Sequence, residues 1–316
     1  MFEVKRYSSA DCEAWNRFVA LSKNGTFLLD RGYMDYHADR FQDHSFMVYR
    51  KGSLYALLPA CLTEHEREKV LHSHAGLTYG GLILNEQATI ANVCEVFQLL
   101  NERFRAESIN RVIYKPTPWI YHRLPAEEDL YALHNICHAS ILSRDASSVI
   151  LEQLRMTFTE SRLSGLRKAR SAAITVKESH RIEDFWNIIN DNLRENHNAK
   201  PVHTAAELRT LANRFPKNIR LYTAEKSDTI LGGGILYETP QVVHTQYISA
   251  SSEGKRLGVL DMLFDHLIHE VYANVRYFDF GTSTMRSNGR LNTSLIFQKE
   301  GFGGRTVCYD TYEWIP

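Results

Sequence analysis

The segment that decides the fold lies in the last third of the chain. It reads Ser249-Ala250-Ser251-Ser252-Glu253-Gly254-Lys255-Arg256-Leu257-Gly258. A polar, glycine-containing turn that enters a helix places main-chain N–H groups and a helix N-terminus where they can face a phosphate. The strand-like segment that follows the helix, Arg276-Tyr277-Phe278-Asp279-Phe280-Gly281, ends in a carboxylate and a glycine. Together the two segments predict a strand–loop–helix–strand unit that holds a phosphorylated donor.

The composition is that of a soluble globular protein. The chain has 316 residues, which is long enough for two domains. Of these residues 44% are hydrophobic and 23% are charged. Lys and Arg together number 37, as do Asp and Glu, so general attraction to nucleic acid or an anionic membrane is not predicted. Five scattered cysteines without C-x-x-C spacing predict reduced thiols. Because no signal peptide or long apolar run is visible, we expect a cytoplasmic protein without a membrane span.

Both halves of the chain show the same order of predicted elements: a β-hairpin, a strand, a helix and a strand. In the first half these are Phe46–Tyr49 with Leu54–Ala60, Leu77–Leu84, Ile90–Leu100 and Arg111–Tyr114. In the second half they are Leu221–Ala224 with Ile230–Tyr237, Val242–Ile248, Leu260–Val271 and Arg276–Phe280. The offset of about 165–175 residues indicates a duplication. The order predicts an α/β fold with a mixed α+β sheet, built as two tandem domains of one type.

The junction between the halves is predicted at the polar stretch Ser143–Ser148, which can link domains and cap a following helix. This divides the chain into residues 1–144 and 145–316. The helix that follows is predicted over Arg155–Arg170 and is basic, which is typical of a solvated face or of a contact with an anionic donor or acceptor. Farther on, Thr204 with Glu207 forms a capping-box signature for another helix start.

With these residues in place, the chain resembles the GNAT acyltransferase superfamily. More narrowly, it resembles the FemAB-type proteins, which carry two GNAT-like domains in tandem. Three segments of the second half are similar to that family's motifs, namely Arg162–Ala169, Phe278–Gly281 and Lys299–Gly304, and Tyr79-Gly80-Gly81 is similar to a weaker element of the first half. The resemblance implies an N-acyltransferase whose first domain lies on the acceptor side. The second domain would then hold the donor and catalyse the transfer.

The resemblance implies acyl-CoA as co-substrate, with acetyl-CoA as one candidate, and no metal. Here Lys255-Arg256-Leu257-Gly258-Val259-Leu260 keeps the basic first position and the first glycine of the family's acyl-CoA loop, but has leucine at its last position. Donor contacts through main-chain N–H groups and the cations at the helix start are expected from Ser249, Ala250, Ser251, Lys255, Arg256, Leu257 and Gly258.

The candidate catalytic residues are His244, Tyr247, Asp279 and Lys299. His244 and Tyr247 lie on the strand nearest the expected site, and a histidine can accept a proton near neutral pH. Asp279 ends the next strand, as a second candidate base or an orienting group. By resemblance, Lys299 would stabilise a phosphate or developing negative charge. A main-chain N–H on Val242–Ile248 is expected to stabilise the oxyanion. A structural histidine, a surface lysine and a water relay remain open alternatives.

The candidate acceptor contacts are Tyr79, Lys115, Tyr121 and Arg167. Lys115 and Tyr121 flank a proline-containing loop after the last strand of the first half, where the resemblance implies acceptor contacts; a rigid structural loop is the alternative. The pairs His72 with His74 and Cys137 with His138 lack neighbouring acidic or thiol ligands. We therefore expect no metal site.

The leading hypothesis is transfer of an acyl group from acyl-CoA to the amine of an amino sugar or a cell-envelope precursor. FemAB-type aminoacyl transfer from aminoacyl-tRNA to a peptidoglycan precursor is an alternative. The balanced charge and the lack of an inserted helical arm weigh against tRNA, whereas the basic helix weighs for it. A GNAT-like binding protein without catalysis is a third hypothesis. The oligomeric state stays open.

Overall fold

The computed structural model describes residues 1–65, 68–197, 203–285 and 288–316. They form two units: unit 1 is Met1–Asp145 with Cys308–Pro316, and unit 2 is Ala146–Val307. The C-terminal segment therefore belongs with unit 1, whereas the expected division into 1–144 and 145–316 keeps it with the second half. As a division into duplicated domains, those boundaries stay a prediction.

Unit 1 combines strands with helices, and the strands β2 to β7 follow one another between α2 and α3. Its strands are β1 (Phe2–Arg6), β2 (Gln42–Asp43), β3 (Phe46–Arg50), β4 (Ser53–Leu58), β5 (Cys61–His65), β6 (Glu68–His72), β7 (Ile83–Leu84) and β8 (Arg111–Tyr114). Its helices are α1 (Cys12–Leu21), α2 (Arg31–Met34), α3 (Ile90–Ala106) and α4 (Glu128–Asn135). Strand β9 (Ser140–Leu151) then continues into unit 2.

Unit 2 holds the remaining elements. Its strands are β10 (Thr175–Ser179), β11 (Ile219–Lys226), β12 (Thr229–Glu238), β13 (Val242–Ala250), β14 (Tyr277–Thr282) and the start of β15 (Arg305–Trp314). Its helices are α5 (Glu160–Ser171), α6 (Ile182–His197), α7 (Ala205–Arg214), α8 (Ser252–Leu257), α9 (Val259–His266) and α10 (Thr293–Gly301), with a π-helical turn at Leu267–Val271.

The strands of unit 1 lie in two sheets, one antiparallel and one mixed. Strands β1, β3, β4 and β7 form an antiparallel sheet in that order. In the other sheet β2 pairs with β5 and β5 with β6 in antiparallel fashion, while β6 and β8 are parallel and are connected through α3. The end of β15 pairs with β8. Phe97, Leu100 and Phe104 on the buried face of α3 lie in the core of this unit.

In unit 2 the strands follow the order β10-β11-β12-β13-β14, and β14 pairs with residues 147–151 of β9. Only β13 and β14 are parallel among these pairs, because α8 and α9 return the chain between them. The aromatic rings of Phe264 on α9, Phe278 and Phe280 on β14, and Phe302 cluster in the core.

Most of the predicted elements are confirmed: the two hairpins, the strands β8, β13 and β14, and the helices that became α3 and α9. The capping box is confirmed as well, since Thr204 Oγ1 accepts from the N–H of Glu207 and the Glu207 carboxylate accepts from the N–H of Thr204. The expected α/β fold with mixed sheets is therefore correct.

Three predicted elements were wrong. Within Leu77–Leu84 only Ile83–Leu84 is a strand, and the strand parallel to β8 is β6. The polar stretch Ser143–Ser148 contains the division between the units but is part of β9 and does not cap a helix, and its Ser147 pairs with Thr282 of β14. The basic helix begins at Glu160 rather than Arg155, whose guanidinium instead donates to the carbonyls of Tyr272 and Ala273.

Gly258 fixes the packing of α5 against the α8–α9 pair. It has φ +74° and separates α8 from α9. A Cβ atom placed here would press into the carbonyl oxygen of Gly165 on α5, well inside van der Waals contact. Both the backbone conformation and the space therefore require glycine.

We expect Gly258→Ala to lower the free energy of unfolding of unit 2 by about 3 kcal/mol, from left-handed strain and the backbone clash together. Gly289→Ala is the matched control, because Gly289 has φ +68° but nothing within 4 Å of its added Cβ. Strain alone predicts a loss of about 1 kcal/mol there. Equal losses in urea titrations of the two variants would contradict the packing role of Gly258.

Candidate active site in unit 2

Strands β13 and β14 separate partway along their length. Their pairing runs from Val242 opposite Tyr277 to His244 opposite Asp279 and stops there, although β13 continues to Ala250 and β14 to Thr282. All residues of both strands are described. Beyond His244 and Asp279 the main chains of the two strands no longer pair with each other, and we call this place the β13–β14 opening.

A β-bulge lies on each strand at the start of this opening. On β13, Gln246 has no partner on β12, because the register passes from Thr245 opposite Leu236 to Tyr247 opposite Ile235. On β14, the register with β9 shifts between Asp279 and Thr282. Bulges bend a strand and redirect its side chains, and they are common beside active sites.

His244 and Asp279 form a hydrogen-bonded pair at this point. In the run Phe278-Asp279-Phe280 the alternation of a strand buries both rings in the core and turns the carboxylate to the other face of the sheet. There His244 Nδ1 lies 2.7 Å from Asp279 Oδ2. Because a carboxylate accepts, Nδ1 carries the proton and Nε2 keeps its lone pair. The His244 side chain is 14% exposed, which leaves the imidazole accessible.

Asp279 is fully buried and is held by two further donors. Ser147 Oγ donates to Asp279 Oδ1 over 2.5 Å, and the N–H of Gly281 donates to the same oxygen over 2.8 Å. Gly281 has φ +73°, and an added Cβ would lie 3.0 Å from His244 Cε1. Glycine at this position therefore lets the backbone bond the carboxylate while the imidazole lies directly above it.

Tyr247 is paired with a histidine that the sequence did not single out. Its hydroxyl shares a hydrogen bond of 2.5 Å with His203 Nδ1, and its ring packs edge-on against Trp186 with centroids 4.9 Å apart. His203 is buried and lies 44 positions away in the sequence. Ser147 was missed as well, because its polar stretch was interpreted as a linker. A Ser or His at such separations carries no local signal.

Lys299 is buried and bonded to the main chain of β14. Its Nζ donates to the carbonyl oxygens of Gly281 at 2.7 Å and Thr282 at 2.9 Å. Burial lowers the pKa of Lys299 to about 8, although the Asp279 carboxylate opposes this shift. In this position the ammonium fixes the bulge that bonds Asp279. Its expected direct role toward a phosphate or oxyanion stays a prediction.

The expected donor segment lies at the end of β13. Ser251 caps α8, with its Oγ accepting from the N–H of Gly254. Asn192 of α6 donates to Ser249 Oγ at 2.6 Å and to the carbonyl of Ala250 at 2.8 Å. Lys255 also bonds Asn192, whereas Arg256 and Leu257 line a groove beside α5. The structure thus brings the segment together, and donor binding by it stays a prediction.

The four expected acceptor residues are not brought together within one unit. Tyr79 and Tyr121 are buried in unit 1 with ring centroids 4.8 Å apart. Lys115 of the same unit donates through Nζ to the carbonyl of Leu77. Arg167 lies on α5 of unit 2 and forms an exposed ion pair with Glu160. Their contact with an acceptor stays a prediction.

Within the described ranges, no group of three or more His, Cys, Asp or Glu side chains is placed to hold a metal ion. Across the same residues, none of the helices combines the length and the apolarity needed to traverse a lipid bilayer.

Residues 160–287 match the family model described as "Acetyltransferase (GNAT) domain". This range contains α5, the donor segment, His244 and Asp279. No curated protein matches the sequence of this chain. Unit 2 therefore carries a GNAT acyltransferase domain.

Solved structures show the same fold over the whole chain. FemX superposes with a TM-score of 0.68 at 11% sequence identity, covering 99% of this chain and 97% of that protein. The C-terminal domain of a provisionally assigned lysylphosphatidylglycerol synthetase from Agrobacterium fabrum gives 0.62 at 12% identity, covering 97% and 92%. A tandem GNAT protein from the clavulanic acid biosynthesis pathway gives 0.54 at 11% identity, covering 100% and 98%.

The chain thus has the FemAB-like fold of the GNAT superfamily, with a GNAT acyltransferase domain in its second half. The expected fold and the expected class of enzyme are confirmed. At these identities the solved structures establish the fold but not the donor or the acceptor.

The buried ammonium of Lys299 predicts a particular pH dependence of stability. The pKa of Lys299 is about 8 in the folded protein, against a usual 10.5. Between these values the unfolded chain binds more protons than the folded chain, so the free energy of unfolding rises with pH. The complete rise corresponds to about 3 kcal/mol. We expect the unfolding free energy of the native protein minus that of Lys299→Met to increase from pH 8 to pH 10 in urea titrations.

The matched control is Lys226→Met, which removes an exposed lysine from the same unit. The unfolding free energy of the native protein minus that of Lys226→Met should not change over this pH range. A level difference for Lys299→Met would show that the buried ammonium does not titrate in this window.

Proposed function

We propose that this protein is an N-acyltransferase in which His244 is the general base and Asp279 its orienting partner. The observation that carries the proposal is the position of this pair: it closes the β13–β14 ladder where the opening begins. A base that is held in one tautomer, partly exposed and next to a main-chain cleft suits the deprotonation of an attacking amine.

The reaction needs one bond made and one broken. The amine nitrogen attacks the acyl carbonyl carbon, and the carbonyl π electrons move to oxygen. His244 Nε2 takes the ammonium proton, and collapse of the intermediate expels the leaving group. Main-chain N–H groups of β13 beyond His244, where the ladder with β14 has ended, are suited to bind the oxyanion.

Tyr247 supplies the complementary proton. It lies on the same strand as His244, and its hydroxyl is bonded to His203. In this proposal the phenol protonates the departing sulfur or oxygen, and His203 holds the phenol in position. Separate groups for deprotonation of the amine and protonation of the leaving group match the two proton transfers of acyl transfer.

For the substrates we propose acyl-CoA as donor and the amine of an amino sugar or a cell-envelope component as acceptor. The donor is supported by the GNAT domain match and by the position of the segment 249–258 at the end of β13. The envelope acceptor is supported by the fold shared with FemX and with a provisionally assigned lysylphosphatidylglycerol synthetase.

Aminoacyl-tRNA is the second candidate donor, and the Tyr247–His203 pair favours it. An ester of a ribose hydroxyl releases an alkoxide, which is far more basic than a thiolate and needs a proton donor at the moment of departure. A positioned phenol beside the opening serves an ester donor more than a thioester donor.

The donor is tested by calorimetry of the purified protein with acetyl-CoA and CoA. We expect saturable binding that is weakened about fivefold in Lys255→Ala, because one cation near the donor segment is lost. Lys226→Ala is the control with the same change of charge outside the site. Absence of binding by the native protein would remove acyl-CoA and leave an RNA-borne donor.

The general base is tested by transfer activity, measured as thiol release from acetyl-CoA with a panel of amino sugars. We expect His244→Gln to lower kcat/KM by about 10²–10³-fold, because the amine loses its proton acceptor. Asp279→Asn should lower it by a similar factor, since the imidazole loses its orienting acceptor. The control His266→Gln removes the histidine at the end of α9, which pairs with Glu270 of the following π-helical turn. Normal activity of His244→Gln would refute the proposed base.

A further inference from the structure

A second candidate binding feature of unit 2 is a basic groove between α5 and α8, outside the β13–β14 opening. Its polar lining consists of Ser164, Arg167, Lys168 and Ser171 on α5 with Arg256 on α8. In the part of the chain that the structure describes, no acidic side chain lines it. We call this surface the basic groove. The basic groove includes residues of α5, the basic helix noted in the sequence. The proposed reaction gives this helix no role.

The charges of α5 are divided between two faces. On one face Arg162 pairs with Asp261 over 2.9 Å and Arg170 with Asp265 over 3.0 Å, and both carboxylates belong to α9. These two arginines attach α5 to α9. They are neutralised in the folded protein and are not offered to a ligand.

The other face presents its cations to the basic groove. Lys168 and Arg256 have no ion-pair partner among the described residues. Arg167 pairs with Glu160, but both side chains are largely exposed, 61% and 75%, and such a pair contributes little free energy. Two hydroxyls and three cations in one shallow groove are a suitable donor set for a phosphate.

The helix dipoles oppose the binding of an anion here, because the C-terminal ends of α5 and α8, which carry partial negative charge, lie beside the groove. Each helix end carries about half an elementary charge, and the effect is smaller for a helix as short as α8. Three formal positive charges outweigh it. The net field in the groove therefore favours an anion.

The groove includes the C-terminal end of the expected donor segment, because Arg256 and Leu257 belong to that segment and line the groove. Lys255 reaches toward Asn192 on α6, whereas the next residue, Arg256, lines the groove. The six residues of α8 span about 9 Å from Ser251 to the groove end. A ligand that lies along α8, with one phosphate at Ser251, would therefore need a second phosphate about 9 Å away to reach the groove.

We propose that the basic groove binds a phosphate of the donor that is separate from the part held at residues 249–252. The inference rests on the proposed function and supplies its second anchoring point. Two donors carry such a group: the 3′-phosphate of CoA and the phosphodiester backbone of an RNA. The chemistry at the groove is the same for both.

The test measures binding of three probes: CoA, 3′-dephospho-CoA and an RNA hairpin with a single-stranded CCA end. Each is titrated into the native protein, into Lys168→Ala and into Lys168→Ala/Arg256→Ala. Arg170→Ala is the control, because it removes an equal charge from the other face of α5. The probes carry no acyl group, so the result does not depend on the chemistry at His244. Circular dichroism and thermal melting confirm that each variant is folded.

Either of two results supports the proposal. If CoA binds about tenfold more weakly to the double variant while 3′-dephospho-CoA is unaffected, the groove holds the 3′-phosphate. If the double variant binds the RNA hairpin more weakly and the slope of log affinity against log salt falls by about two, the groove holds the RNA backbone.

Two results overturn it: groove variants that bind all three probes as Arg170→Ala does, or a native protein that binds none of them. The proposed function is judged separately, by the loss of transfer in His244→Gln. An active native enzyme with unchanged groove variants would refute the groove and leave the general base in place.

Discussion

The carboxylate of Asp279 is the group on which the site of unit 2 depends. It is fully buried, and a buried charge is tolerated only where hydrogen bonds replace its hydration. Three donors do so, from His244, Ser147 and the N–H of Gly281. This requirement brings β9 beside β14, forces a left-handed glycine into β14 and orients the imidazole on β13. The geometry of the site is thus a consequence of solvating one carboxylate inside the protein.

Lys299 supports the backbone that bonds Asp279. Its ammonium is bonded to the carbonyls of Gly281 and Thr282, so the bulge that offers an N–H to Asp279 is held from behind by a cation. The field of Asp279 favours the charged ammonium, while burial disfavours it and lowers the pKa of Lys299 to about 8. Bulge, carboxylate and ammonium therefore stabilise one another. Replacing Lys299 by an apolar residue would remove the ammonium donor from the carbonyls of Gly281 and Thr282.

Features with a local sequence signal could be predicted. The segment Arg276–Phe280 predicted the strand that is β14, and Thr204 with Glu207 marked a helix start. Features that depend on distant partners could not. The first half of β9 is exposed and the stretch Ser143–Ser148 is polar, so the composition does not mark the strand that supplies Ser147. His203 meets Tyr247 only because α7 begins beside β13 in the folded unit.

Two hydrogen-bonded pairs, His244 with Asp279 and Tyr247 with His203, involve side chains of the same strand, β13. His244 and Tyr247 are three positions apart on β13, with the bulge at Gln246 between them. Side chains three apart on a regular strand point to opposite faces, so one additional residue is needed to bring both to one face. The bulge supplies that residue. The proposed mechanism requires its base and its acid on one face of β13, and a regular strand would place His244 and Tyr247 on opposite faces.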